Sequence, residues 1–120
     1  MDSIQIAKAL FRQQMAWNQG DLVGFMQGYW ENDSLTFISK NGITKGYQKV
    51  LSNYQKSYPD KQTMGTLNFE LLDMDYECDE HVVVTGKWSL VRLEKPIGGY
   101  FTLWFEKIHG EWKIVKDHTS

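Results

Sequence analysis

Three kinds of side chain in the sequence could take part in proton-transfer chemistry. His118 lies near the end of the chain, directly after Asp117, and histidine is the side chain whose proton moves most readily near neutral pH. Asp33 supplies a second possible base. Three tyrosines on predicted helical faces supply hydroxyl donors: Tyr29, Tyr54 and Tyr58. A base and donors in an apolar pocket suffice for metal-free proton transfer, so His118 and Asp33 are the candidate catalytic residues.

The orientation of His118 depends on the regularity of the last predicted strand. A regular strand places Trp112, Lys116 and His118 on one face, where Lys116 fits badly if that face is buried. A bulge near residues 115–117 would change the arrangement, and the sequence does not decide between the two. Without a bulge, Asp117 and His118 point to opposite faces and form no dyad. A solvent-exposed His118 is the alternative to a catalytic one.

Aromatic residues make up 14% of the sequence and indicate a pocket for an apolar ligand. On the predicted strand 81–94, Trp88 and Arg92 share a face, and Gly86 precedes them on the same face. Glycine inside a strand often marks a bend or a close approach, and a bent sheet gives a cone with an open mouth. A packed core stripe is the alternative. The candidate ligand-binding residues are Tyr29, Trp30, Tyr54, Tyr58, Trp88, Arg92 and Trp104.

The sequence has no pattern typical of a metal or cofactor site. It contains neither a His-x-His nor a His-Glu-x-x-His spacing, and it has no glycine-rich phosphate loop. The acidic stretch 73–80 fails as a calcium loop, because Cys78 stands at the glycine position and Val84 at the final glutamate position. We therefore expect no cofactor and no metal, and a solvated turn at this stretch.

Length and composition predict a single globular domain over residues 1–120. The net charge is −2 and no Lys/Arg run occurs, so a nucleic-acid partner is not expected. No apolar stretch reaches the roughly 18 residues that cross a bilayer, so we expect no membrane partner. The polar N-terminal pattern is unlike a signal peptide, which predicts a cytoplasmic protein unless a leader was removed.

The order of the predicted elements is helices first and strands afterwards. Apolar spacing of three and four predicts helices over 4–18, 21–30 and 46–58, with a short strand over 35–39. Four long strands follow, over residues 64–75, 81–94, 99–108 and 111–118, and the turn His109-Gly110 joins the last two as a hairpin. This is an α+β pattern. We expect three N-terminal helices packed on a strongly curved, mainly antiparallel sheet that forms a cone with a pocket.

This order resembles the nuclear transport factor 2-like superfamily, also called the cystatin-like cone. Three stretches carry the resemblance: AWNQGDLVGFMQGYW (16–30), VTGKWSL (84–90) and WKIVKDHTS (112–120). The last is similar to the terminal strand of bacterial SnoaL-like members of unknown function. The resemblance implies the fold, but the superfamily includes ketosteroid isomerases, dehydratases, polyketide cyclases, transport factors and assembly domains, so it does not imply one function.

Three functions therefore remain open at the level of sequence. The first is an apolar, aromatic-lined small-molecule pocket on a dimeric scaffold. The second is a cofactor-free isomerase, dehydratase or cyclase that uses His118 or Asp33. The third is a structural association module with a filled cone.

A homodimer is expected through the outer face of the sheet, because three helices cover only one face and related folds pair in this way. The outer face would carry residues of strand 81–94 and one of two sets, either Phe101, Leu103 and Phe105 or Tyr100, Thr102 and Trp104.

Overall fold

The computed structural model describes residues 2–120, which form one mixed six-stranded sheet with the helices packed against its inner face. The helices are α1 (Asp2–Asn18), α2 (Leu22–Met26), α3 (Tyr47–Ser57) and α4 (Lys61–Met64). The strands are β1 (Thr36–Ser39), β2 (Gly42–Lys45), β3 (Thr66–Cys78), β4 (His81–Val91), β5 (Ile97–Ile108) and β6 (Glu111–Thr119). The predicted α+β class is confirmed. No helix in this part of the chain is long and apolar enough to cross a membrane.

The strand order is β2-β1-β6-β5-β4-β3. Strands β3 to β6 form an antiparallel meander, and β1 runs parallel to β6. The predicted β5–β6 hairpin is confirmed, and its turn residues His109 and Gly110 both have positive φ angles, of 51° and 79°. The parallel β1–β6 pair brings the first half of the chain against the last strand.

The first helix ends where the sequence pattern predicts, at Asn18, but it begins at Asp2, two residues before the predicted start. Its core-facing residues are Ile6, Leu10, Gln13 and Trp17, at spacings of three and four. Three large apolar residues of the same helix are exposed: Ile4, Phe11 and Met15. Gln13 and Trp17 therefore point from the helix into the interior of the fold.

The second helix is shorter than predicted. Asp21 caps it through a 2.8 Å hydrogen bond from the backbone N–H of Gly24, as expected, but it ends at Met26 and not at Trp30. The backbone N–H of Trp30 donates to the carbonyl of Ile114, and the N–H of Ile114 donates to the carbonyl of Gly28, each at 2.9 Å. Because these groups pair with β6, they cannot continue the helix.

Two short elements were not predicted. Strand β2 pairs with β1 across the turn at Lys40 and Asn41, and helix α4 begins at a capping box in which Asp60 accepts from the N–H of Thr63 at 2.9 Å. Each has four residues, so neither is long enough to show a hydrophobic period. The segment assigned to the start of a strand at Met64 is the end of α4.

The two faces of the sheet differ in what covers them. Phe101, Leu103 and Phe105 are buried under the helices, on the same face as Val84 and Leu90 of β4. Tyr100, Thr102 and Trp104 form part of the outer face. Gly86 allows a close approach on the inner face, as its position in the strand predicts, because a Cβ there would lie 2.5 Å from the Phe101 ring and 2.5 Å from the carbonyl of Glu70.

Helix α1 covers part of the free edge of β3 with amide side chains. The Asn18 side chain accepts from the N–H of Leu67 at 2.6 Å and donates to the Leu67 carbonyl at 3.1 Å. One turn earlier, Gln14 accepts from the N–H of Phe69 at 2.8 Å. These bonds replace a missing neighbouring strand where the sheet ends.

We predict that Asn18→Ala destabilises the protein by about 2 kcal/mol, because it leaves two polar groups of the buried residue Leu67 without a partner. The free energy of unfolding from urea titration measures this. Gln19→Ala, at the next and exposed position, is the control and should change stability by less than about 0.5 kcal/mol. Equal effects of the two substitutions would contradict this role for Asn18.

Candidate functional site

An open cavity of about 730 Å³ lies between the helices and the inner face of the sheet. Aromatic rings form a large part of its wall, among them Trp17, Phe25, Tyr54, Tyr58, Phe69 and Trp88. Trp17 packs edge-on against Phe25 and against Tyr58, each with ring centroids 5.0 Å apart. These rings support one another from the side and leave the middle of the cone unfilled.

An irregularity in β6 decides which polar side chain reaches the cavity floor. Trp104 of β5 pairs with Lys116, but the next residue, Phe105, pairs with Ile114, so Val115 is an extra residue in β6. One extra residue moves every later side chain of the strand to the opposite face of the sheet. Lys116 and His118 therefore point outwards, and Asp117 points inwards.

Asp117 is buried at the floor of the cavity, with 2% of its surface exposed. The hydroxyl of Tyr29 donates to its carboxylate at 2.6 Å, and the hydroxyl of Thr119 donates to the other carboxylate oxygen. Tyr29 is held there by its neighbours in the chain, since the backbone on both sides of it bonds to Ile114. A carboxyl and a phenol from distant parts of the sequence thus form one polar group in an aromatic enclosure.

Burial controls the protonation of this group. Loss of water raises the pKa of Asp117 to about 6, and the hydrogen bonds from Thr119 and Tyr29 and the nearby His118 offset only part of the rise. Burial and the Asp117 charge raise the pKa of Tyr29 well above its ordinary value. Burial likewise raises the pKa of Tyr54. Near neutral pH both phenols are therefore protonated donors, while Asp117 exchanges its proton close to that range.

The floor can consequently accept or donate a proton, or hold a polar group of a ligand. A side chain whose pKa lies near the working pH is suited to general acid–base catalysis. Asp117 is the only carboxylate side chain that lines the cavity within residues 2–120. A second base would have to come from the ligand or from water.

Four of the predicted ligand-binding residues lie in the cavity wall: Tyr29, Tyr54, Tyr58 and Trp88. Trp88 also donates its indole N–H to the carbonyl of Ser120 at 3.1 Å. The structure thus brings these three tyrosines together with a tryptophan of the sheet.

Three other predicted ligand-binding residues lie elsewhere. Trp104 is on the outer face, with the Lys116 ammonium 5.2 Å from its ring. Trp30 lies beyond the turn that follows α2 and does not line the cavity. Arg92 donates to the carbonyls of Thr63 and Lys95, so it ties α4 to the β4–β5 connection. The prediction that these three face the pocket is wrong.

Both candidate catalytic residues are also outside the cavity. His118 is exposed on the outer face because of the extra residue at Val115, and it pairs across the sheet with Thr102. Asp33 is exposed in the loop before β1. The prediction of His118 or Asp33 as the base in the pocket is therefore wrong for a geometric reason, and the inward-facing acid is the neighbour, Asp117.

Sequence reasoning missed Asp117 and Thr119 as residues of the floor. The available signal was the poor fit of Lys116 to a buried face, which a bulge repairs, but the pattern does not say which residue is the extra one. Sequence reasoning also missed Trp17, Phe25 and Phe69 as residues of the wall. No group of three or more His, Cys, Asp or Glu side chains is placed to hold a metal ion between residues 2 and 120.

Comparison with known proteins identifies relatives of the whole chain. Residues 7–120 match the family model described as SnoaL-like domain. A nuclear transport factor 2-like protein of unknown function from Shewanella oneidensis is 40% identical, with a TM-score of 0.97, over 100% of this chain and 99% of that one. No curated protein matches the chain significantly.

More distant structures share the fold. A nuclear transport factor 2-like superfamily protein from Salmonella enterica is 18% identical over 96% of this chain and 87% of that one, with a TM-score of 0.75. A ketosteroid isomerase-like protein from Erwinia carotovora is 12% identical over 98% and 93%, also with a TM-score of 0.75. Since the family model covers nearly the whole chain, this protein belongs to the SnoaL-like domain family and has the nuclear transport factor 2-like fold.

Proposed function

We propose that this protein binds a small, largely apolar molecule in the cavity and holds a polar group of that molecule against Asp117 and Tyr29. The observation that carries the proposal is an open aromatic enclosure with one hydrogen-bonded polar group at its floor. Ligand sites are commonly 300–1,000 Å³ in volume, mostly apolar, and supplied with a few polar groups that orient the ligand. The volume of about 730 Å³ lies within this range.

The alternative of a purely structural association module is not favoured by this geometry. Such a module would fill the cone with side chains, because an unfilled interior forfeits dispersion contacts. Here the rings of Trp17, Tyr54 and Trp88 border the cavity and do not close it. Occupation by a ligand would recover those contacts.

Proton-transfer catalysis is the second candidate function, and the environment of Asp117 favours it. With a pKa of about 6, Asp117 exists in both its protonated and its charged form near physiological pH, so it can donate or accept a proton. Tyr29 remains a donor and could stabilise negative charge that develops on a substrate oxygen. A ketosteroid isomerase-like protein shares the fold, but at 12% identity this supports only the fold. The reaction would be an isomerisation, dehydration or cyclisation without a cofactor.

We also propose a cytoplasmic location and a homodimer through the outer face. The one cysteine, Cys78, is exposed and unpaired, which suits a reducing compartment. On the outer face, Trp104 and Val83 pair across β4 and β5, and Tyr100 is 55% exposed. A second copy of the chain would cover these apolar groups.

The first prediction for this function concerns a neutral ring compound, methyl 6-hydroxy-2-naphthoate. The protein should bind it in the cavity, where Trp17 and Trp88 line the wall. In an NMR titration, the indole N–H signals of these two residues should shift, and the signal of the outer-face Trp104 should not. No binding at millimolar concentration, or a shift confined to Trp104, would contradict the proposal.

The second prediction concerns Asp117→Asn and pH. The native pKa of about 6 exceeds the ordinary value of 3.8, so between these values the native state holds more protons than the unfolded state and stability falls as pH rises. The groups near the carboxyl are Tyr29 and Tyr54 from other elements and Thr119 and His118 from its own strand. Between about pH 4 and pH 7.5, the free energy of unfolding of the uncharged variant should therefore rise by about 2 kcal/mol relative to that of the wild type.

Urea unfolding at several pH values measures this difference. Asp79→Asn, at the exposed tip of the β3–β4 hairpin, is the matched control and should show a nearly constant difference from the wild type. A pH-independent difference for Asp117→Asn would show that Asp117 ionises normally, and acid–base catalysis by this group at neutral pH would lose its support.

The third prediction concerns the dimer. The wild type should have a mass of about 28 kDa in sedimentation, twice the chain mass of 14.0 kDa, and Trp104→Glu should reduce it to the monomer. Phe11→Glu changes a ring that is 60% exposed on α1, away from the outer face, and should leave the dimer intact. A monomeric wild type at micromolar concentration would overturn this proposal.

A further inference from the structure

The charged side chains around the cavity are separated by sign. Within residues 2–120, the lining side chains that carry charge are Asp117 at the floor and two lysines, Lys40 and Lys56. Both lysines are exposed, whereas Asp117 is buried. Four further polar residues of the lining lie in the same two segments as the lysines: Ser39, Asn41, Asn53 and Ser57.

The two lysines belong to two of the solvent-exposed segments of the cavity lining. Lys40 lies in the turn between β1 and β2, and Lys56 lies in the last turn of α3. The Asn53 side chain donates to the Thr44 hydroxyl at 3.4 Å, which connects α3 to β2. Both positive charges therefore stand at the solvent-exposed part of the lining, which we call the rim, on two neighbouring segments.

The register of β1 gives the depth of the cavity. Phe37 pairs with Asp117, and Lys40 follows Phe37 by three residues. A strand rises by about 3.3 Å per residue, so the lysine backbone lies roughly 10 Å along the strand from the floor carboxyl. Two fused aromatic rings with a substituent at each end have about this length.

We propose that the bound molecule is an elongated, apolar ring compound with a hydroxyl or carbonyl group at the floor and a carboxylate or another anionic group at the opening. This inference rests on the proposed small-molecule function. The two rim lysines attract the anion at the entrance. At the floor, the same anion would lose its water beside a buried carboxyl, which disfavours the reversed orientation.

The rim charges thus determine orientation as well as affinity. A ligand with a polar group at both ends has two ways to enter the cavity. Only one of them leaves the anion in the solvent near Lys40 and Lys56 and places the neutral group against Tyr29 and Asp117. The polar end that reacts or is recognised at the floor is then the uncharged one.

The test compares 6-hydroxy-2-naphthoate with its neutral methyl ester by calorimetry at low salt. We expect the anion to bind about tenfold more tightly, which corresponds to two exposed charge interactions. Lys40→Glu/Lys56→Glu should abolish this preference and leave ester affinity within about twofold. The preference of the wild type should also decline as salt is added.

Lys45→Glu/Lys49→Glu is the matched control. It changes the net charge equally, and its two positions lie on the same strand–helix pair, on β2 and α3, but do not line the cavity. It should retain most of the preference for the anion. If the control loses the preference for the anion as fully as the rim variant does, overall charge causes the preference and the inference is overturned.

The outcomes separate this inference from the proposed function. If the ester shifts the indole signals of Trp17 and Trp88 but the anion binds no more tightly, the cavity binds small molecules and the anionic class is wrong. If neither compound binds, the proposed function itself fails. If the anion binds and shifts only Trp104, the rim lysines are not part of its site.

Discussion

One additional residue in the last strand, Val115, is the constraint on which the site depends. It turns Asp117 inwards beside Tyr29, and it leaves Lys116 and His118 outside. The neighbouring residue Ile114 holds the segment around Tyr29 through two backbone hydrogen bonds, so the end of α2 and the floor of the cavity are fixed by the same few residues. Without the bulge, the inner face would carry a lysine and a histidine, and Tyr29 would have no acidic partner.

The aromatic wall explains how a small domain keeps an open interior. Trp17 contacts Phe25 and Tyr58 edge-on, and Tyr54 packs against Phe25 and Phe37 at centroid distances of 5.3 and 5.9 Å. Such pairs are worth about 0.5–1.5 kcal/mol each beyond the area that they bury. The walls therefore hold their positions through lateral contacts, and a ligand can enter without first separating packed side chains.

Long elements could be predicted from the sequence, and local departures from regularity could not. Hydrophobic periods over eight or more residues located α1, α3 and the β3–β6 meander, because many positions contribute to each pattern. The bulge is a single residue whose position follows from how β6 pairs with β5, and the early end of α2 follows from pairing with β6. Both are tertiary effects. For this reason four of the seven residues predicted to bind a ligand line the cavity, whereas the predicted base, His118, is the outward-facing neighbour of Asp117.

The energetic position of Asp117 is itself an argument for function. A carboxyl buried without a cationic side-chain partner in the cavity is less stable at neutral pH than an uncharged amide of the same shape, since its pKa is raised to about 6. The hydroxyls of Tyr29 and Thr119 supply only partial compensation. The packing of the floor does not require a carboxyl, because an asparagine has the same size. Its single side-chain oxygen could accept from Tyr29, and its amide nitrogen could donate to the Thr119 hydroxyl, which would then act as an acceptor. Residues that break a local rule of stability in a cleft are typical of binding and catalytic sites. Here the departure coincides with the bulge that turns the group towards the cavity, so one feature of the backbone creates both the energetic cost and the position from which the carboxyl can act on a ligand.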